Sequence, residues 1–156
     1  MAKDLATNKR ARHDYEFLEV LEAGLQLTGQ EVKSAKAGNV SLKGAHVVIT
    51  TNTTTGKPEA FLLNARISPY APAGPLPSYD PERSRKLLLK RSQIDSLLGK
   101  KSQKGLTVVP VSLYSKGRLI KVKIALARGK TQFDKRQTMR ERDDKRKMQR
   151  AMRGKA

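Results

Sequence analysis

The chain predicts a mainly β fold: a small closed antiparallel barrel with short helices at its ends and a basic C-terminal tail. Three observations lead there. Two pairs of segments, one arm of each β-branched and apolar and the other alternating apolar and polar residues, flank turn-forming residues, the helical signals are short and do not alternate with strands as in an α/β protein, and cationic charge crowds three limited regions. At 156 residues there is room for one core and an appendage. Apolar residues make up 37%, below the usual range of about 45–50%, so that core does not extend through the whole chain.

Residues 1–12 carry Lys3, Lys9, Arg10 and Arg12 against Asp4 and form the first basic region. Tyr15 to Ala23 suits either a helix or a strand; its aromatic and β-branched residues, with Gly24 behind them, favour a strand. Thr28-x-x-Glu31 has the spacing of a capping box and Gly38 supplies a left-handed stop, which predicts a helix over Gly29 to Ala37. His46 to Thr51 is β-branched and is joined by a Thr-rich turn containing Gly56 to the alternating stretch Ala60 to Ile67, a first hairpin. In that stretch Phe61, Leu63, Ala65 and Ile67 share one face.

Five of the seven prolines fall between Ser68 and Pro81, so that stretch reads as an irregular surface loop. Asp80-Pro81 then resembles an N-cap followed by a first-turn proline and predicts a helix through Arg83 to Leu89; Ser92-x-x-Asp95 opens another ending near Gly99. Leu106 to Tyr114 and Ile120 to Leu126 flank Ser115-Lys116-Gly117-Arg118 as a second hairpin. Pro110 marks a sheet edge or a bulge within it. Strands in this number without crossover helices fit a closed barrel of the oligonucleotide-binding type, with a five- or six-strand meander or sandwich as the alternative that periodicity leaves open.

Charge points to the partner. Lys and Arg number 33 against 14 Asp and Glu, a net charge of +19, which favours a polyanion. The second basic region, residues 83–104, holds eight cations against Asp95 alone. The third is the tail, residues 129–156, with eleven basic residues and four acids and almost no large apolar side chains. It is expected to be disordered alone and helical when an RNA wall neutralises it; residues 1–128 form the β-barrel domain. With no Trp and few aromatics, recognition of a folded RNA by shape and backbone is more plausible than stacking along a single strand.

Other chemistries find little support. Cysteine is absent, which removes disulfides and thiolate catalysis, and His13 and His46 are too few for a zinc site. His13-Asp14 has no nucleophile motif around it, and Asp143-Asp144 sits among Arg142, Lys145, Arg146 and Lys147, where charge neutralisation is a simpler account than magnesium binding. No catalysis, cofactor or metal is expected. Met1 to Ala6 lacks a signal-peptide stretch and no apolar run reaches membrane-spanning length, so the expected compartment is the cytosol.

The motifs Asn8-Lys9-Arg10-Ala11-Arg12-His13-Asp14-Tyr15, Glu22-Ala23-Gly24, Gly29 to Ser34, Asp80 to Leu89, Gly105 to Tyr114, Lys121-Val122-Lys123-Ile124 and Gly129-Lys130 with Asp134-Lys135-Arg136 resemble, in order and spacing, the small protein B family of bacterial trans-translation. The resemblance covers about residues 8–136; the last twenty match only in basic character. It implies an oligonucleotide-binding-type barrel that grips the tRNA-like domain of tmRNA. It also implies a tail that enters the vacant decoding centre and mRNA channel of a stalled ribosome, and elongation factor Tu as an indirect partner through aminoacylated tmRNA. A cytoplasmic monomer with no membrane association follows.

By the same resemblance, Asn8, Lys9, Arg10, Arg12, Glu22, Leu88, Lys121 and Lys123 match the tmRNA-facing surface. The cations would meet phosphates and Asn8 a sugar or base edge; Leu88 would supply apolar contact, and Glu22 would accept from a base or ribose, although a structural role is equally open to Glu22 and Leu88. Gly129, Lys130, Phe133, Asp134, Lys135 and Arg136 match the segment that meets the decoding centre, with Gly129 as a hinge out of the last strand. Thr131 replaces a second Lys usual in the family. Phe133 stands where Tyr or His is common and loses their polar edge.

Overall fold

A computed structural model describes residues 2–74, 78–103, 105–130, 139–140 and 142–150. The chain runs β1 (Ala2–Thr7), α1 (Lys9–Asp14), β2 (Tyr15–Leu25), α2 (Gly29–Lys36), β3 (Val40–Ser41), β4 (His46–Thr51), β5 (Pro58–Leu63) and β6 (Arg66–Ile67). After a 3₁₀ turn at Ala71–Ala73 come β7 (Arg85–Leu88), α3 (Arg91–Lys101), β8 (Leu106–Lys116) and β9 (Leu119–Gly129). Seven strands form one antiparallel sheet in the order β1-β8-β9-β2-β7-β5-β4, and β3 pairs with β6 apart from it.

The fold is mainly β, as expected, but the sheet does not close. Among the described residues β1 pairs only with β8 and β4 only with β5, so both remain edges and the expected closed barrel is corrected to an open sheet. The chain beyond β5 turns away at Asn64, which sits at φ 61°, and its next strand pairs Ile67 with Val40 and Arg66 with Ser41. That turn also reverses the phase of the alternation. Ala60 and Leu62 are buried before it and Ala65 and Ile67 after it, so Phe61 and Leu63 do not share the core face with the later pair.

Most other sequence signals hold. The two hairpins form, with Gly117 at φ 62° in the second, and the Pro110 signal is a bulge, since the β8–β9 register shifts between Pro110 and Ser112. Tyr15 onward is a strand. Thr28 accepts from Glu31 N–H at 3.3 Å while Glu31 Oε1 accepts from Thr28 N–H at 2.9 Å, both halves of the capping box, and Gly38 follows at φ 89°. The helix expected over Arg83 to Leu89 is a strand instead. Asp80 Oδ1 accepts from Glu82 N–H at 2.9 Å in a local turn, and Arg85 and Leu87 point inward while β7 pairs with both β5 and β2. Helix α3 begins at Arg91, not Ser92; Gln93 Oε1 accepts from Lys90 N–H at 2.9 Å at its start.

The main core lies on one face of the sheet, where Leu62, Leu87, Leu97, Leu113, Val122 and Ile124 are buried together. A smaller cluster covers part of the other face: Ala11 of α1 packs with Val109, Val111, Ala125 and Ala127, flanked by Tyr15 and Phe17. Strands β8 and β9 are thus buried on both sides along part of their length. This is why Leu106 to Tyr114 reads as a mostly apolar run rather than an alternating one.

The described part of the tail takes the helical form expected of it when bound. Residues 142–150 are helical and all are exposed. Their composition of Lys, Arg, Met and Gln favours a helix, and Asp143 with Lys147 has helix-supporting spacing. No described helix is long and apolar enough to cross a membrane.

Candidate nucleic-acid interface

Period-two alternation places Lys121, Lys123, Ala125 and Ala127 on one face of β9, opposite the core-facing Val122 and Ile124. Partners in an antiparallel ladder share a face, so the register defines the surface around them. Tyr114, Lys121, Gly24 and Leu88 form one row across β8, β9, β2 and β7; Ser112, Lys123 and Glu22 form the next. Farther along, α1 covers Ala125 and Ala127 and so stands on that same face. Asn8, Lys9, Arg10, Arg12, Glu22, Leu88, Lys121 and Lys123 therefore lie on one side of the sheet, although they come from separate elements or their ends.

The geometry assigns different tasks within this surface. Asn8 is committed locally: its Oδ1 accepts from Ala11 N–H at 3.2 Å as the cap of α1, and its Nδ2 donates to Pro110 O at 2.9 Å across the bulge. It thereby fixes α1 on β8. Lys9, Arg10 and Arg12 project outward, the Arg10 side chain being 83% exposed with a long 3.7 Å ion pair to Asp14. Leu88 is 53% exposed and lies over Gly24, where a Cβ would come within 3.1 Å of Leu88 Cβ; the missing side chain at Gly24 seats Leu88 against the sheet.

Glu22 is held by Tyr114, which closes the Gly105 to Tyr114 motif but is not among the residues matched to the tmRNA-facing surface. The Tyr114 hydroxyl donates to Glu22 Oε2, Lys116 Nζ lies 3.6 Å from Oε1, and Lys123 Nζ stands 5.6 Å from the Tyr114 ring centroid. The hydrogen bond from Tyr114, with Lys116 and Lys121 nearby, holds the Glu22 carboxyl below its ordinary range despite some desolvation. Burial and then Glu22 itself push the Tyr114 phenol upward, so it remains a donor. The result is a fixed carboxylate among cations, suited to accept from a base amino group or a ribose hydroxyl. Tyr114→Phe is expected to move the Glu22 titration midpoint up toward the ordinary carboxylate value, read by NMR; an unmoved midpoint would show that the lysines alone hold it.

Gly129 ends the last strand and Lys130 follows it. Gly129 pairs with Tyr15 at ordinary φ with open space where a Cβ would be, so nothing in its backbone geometry requires the hinge expected there. Lys130 N–H donates to Asp14 O at 2.8 Å and its Nζ to Arg12 O at 3.0 Å, which ties the start of the tail to the end of α1. Phe133, Asp134, Lys135 and Arg136 lie outside the described residues.

The family model for the SmpB protein matches residues 5–154. An SsrA-binding protein from Acaryochloris marina is 50% identical over 150 residues, 96% of this chain and 94% of that protein; one from Sulfurihydrogenibium sp. is 47% identical over 153 residues, 98% and 96% of the respective chains. A solved structure described as "tmRNA-SmpB: a journey to the center of the bacterial ribosome" superposes with a TM-score of 0.62 at 46% identity, covering 81% of this chain and 84% of its own. With a match across nearly its whole length, the chain belongs to the SmpB protein family.

Proposed function

We propose that this protein is an RNA-binding adaptor of ribosome rescue. Its β body grips the tRNA-like domain of tmRNA through the outer face of β2, β7 and β9 together with α1, and its basic tail occupies the vacant decoding centre and mRNA channel of a stalled ribosome. The observation that carries this reading is the convergence of Asn8 to Arg12, Glu22, Leu88, Lys121 and Lys123 on one face, in a chain closely similar to SsrA-binding proteins. Cations at the rim of that face would neutralise phosphates and release counterions, while Glu22 and Leu88 would meet sugar or base edges between them. No catalytic step is assigned to the protein. It acts as a cytoplasmic monomer and meets elongation factor Tu through the aminoacylated tmRNA.

The test is the salt dependence of tmRNA binding. Replacing Arg10 and Arg12 by Ala should weaken binding and reduce the slope of log K against log salt by roughly 0.7–0.9 for each phosphate left without its cation. Both arginines are exposed, so the thermal midpoint should stay nearly unchanged. An unaltered slope would remove α1 from the RNA face.

A further inference from the structure

Beside α1 the surface is concave, and its opposite wall comes from the turn after β3, a segment outside the face formed by β2, β7 and β9. One depression of about 380 Å³ is lined by β1 and α1 residues on one side and by Val40, Ser41, Leu42 and Lys43 on the other. A second, of about 220 Å³, shares Asn8, Arg10 and Lys43 with it and continues to His46 and Thr107. The shared residues make the two a single cleft. Its walls carry Lys9 and Arg10 on one side and Lys43 on the other. Asp14, at the far end, is engaged by His13 at 2.9 Å and by Arg10 at 3.7 Å.

Lys43 is held in place by its backbone. Leu42 is 2% exposed and anchors the turn in the main core, Ser41 Oγ accepts from Lys43 N–H at 3.2 Å, Ala45 N–H donates to Leu42 O at 3.0 Å, and Gly44 at φ 76° completes the reversal. The side chain is exposed, and among the described residues neither it nor Lys9 has an ion-pair partner. Unpaired cations on both walls of one cleft repel each other and focus positive potential into it; the arrangement gains when an anionic strand lies between them.

We propose that Lys43, with Ser41 and His46 beside it, forms the second wall of an RNA-binding cleft that clasps a sugar-phosphate segment against Lys9 and Arg10. The inference rests on the tmRNA-binding reading and adds a contact from the turn after β3. Cations on both walls would meet successive phosphates. Ala6 and Val40, both half-buried, line the cleft where they would meet the apolar side of the ribose, and Ser41 and His46 offer hydrogen-bonding groups to the 2′-hydroxyl. An acidic protein segment would suit the cations but not the continuity of the cleft with Asn8 to Arg10.

The test uses the full chain with tmRNA across a range of salt. Lys43→Ala should weaken binding and reduce the salt slope by roughly 0.7–0.9, close to the effect of Arg10→Ala. Lys57→Ala, an equal loss of charge in the β4–β5 turn, should leave the slope unchanged. A slope that falls with Arg10→Ala but not with Lys43→Ala overturns the second wall and leaves the tmRNA reading standing. Equal falls for Lys43→Ala and Lys57→Ala overturn it as well, because net charge would then account for both. If neither Arg10→Ala nor Lys43→Ala changes the slope, the reading of α1 fails and the cleft fails with it.

Discussion

Glu31→Ala is expected to destabilise the fold by about 3–5 kcal/mol, the cost of leaving a buried charge without its partner. Glu31 is 1% exposed and Arg85 is fully buried. Arg85 Nε donates to Glu31 Oε2 at 2.6 Å, and its two terminal nitrogens donate to Ala65 O at 2.7 Å and Pro81 O at 3.0 Å, so one side chain joins α2, the segment after β5 and the segment before β7. Arg83 and the Thr28 amide donate to the other carboxylate oxygen at 2.5 and 2.9 Å. Removing Glu31 strands the Arg85 guanidinium in the core with two carbonyls and no anion. In a domain whose whole stability is about 5–15 kcal/mol, that is enough to unfold a large share of molecules on mild heating.

The network also sets an acid limit. Burial raises the Glu31 carboxyl, but the Thr28 amide, Arg83 and Arg85 outweigh it and leave the group below its ordinary value. A folded-state value below the unfolded one stabilises above the unfolded value, near 4.3, and that contribution fades as pH falls through the folded value. Glu31→Gln should therefore flatten the acid limb of stability against pH as well as lower the plateau. Denaturant unfolding of wild type and variant from neutral to acid pH checks both; a loss below about 1 kcal/mol would show that the pair is replaceable.

This network explains where the sequence is a poor guide. Arg85 reads as one more surface cation in a basic stretch, because only the fold supplies the carboxylate and carbonyls that let it be buried; with Arg85 read as surface, Asp80-Pro81 looks like a helix start and β7 is lost. Strand β1 is invisible for a related reason. Ala2 to Thr7 has no apolar alternation of its own and becomes a strand by pairing with β8. Local signals suffice where the determining interactions are local: the capping box of Thr28 and Glu31, the Gly117 turn, the bulge at Pro110. They do not suffice for sheet closure or for the phase reversal at Asn64, which depend on where distant strands lie.

The site divides the same way. The basic motif of Asn8 to Arg12 and the Lys121/Lys123 pair are legible as charge at strand or helix spacing. That they share a face is not, since it follows from α1 docking on Ala125 and Ala127. Lys43 carries no local mark, and Tyr114 only that of ending an apolar strand motif. Tyr114 is drawn in by a ladder that sets it opposite Lys121, and Lys43 by a turn that faces α1 across a cleft.

The second large effect concerns the tail. Deleting residues 131–156 removes ten cations and four acids while keeping Lys130, whose bonds to Arg12 and Asp14 belong to the body. The RNA face proposed on β2, β7, β9 and α1 includes none of the deleted residues, so binding to tmRNA should change by less than about tenfold, or 1.4 kcal/mol. Whatever the tail contributes to affinity is a diffuse electrostatic attraction that salt screens. The ribosomal task proposed for it is different in kind, because the exposed Lys- and Arg-rich helix over 142–150 is suited to a channel walled by phosphates and has no counterpart elsewhere among the described residues. The decisive measurement is therefore made on one truncated protein with two readouts, tmRNA affinity at physiological salt and peptide tagging on stalled ribosomes. A body and tail with separate tasks predict near-normal affinity with tagging at background; parallel loss of both, or tagging that survives the truncation, would contradict that division.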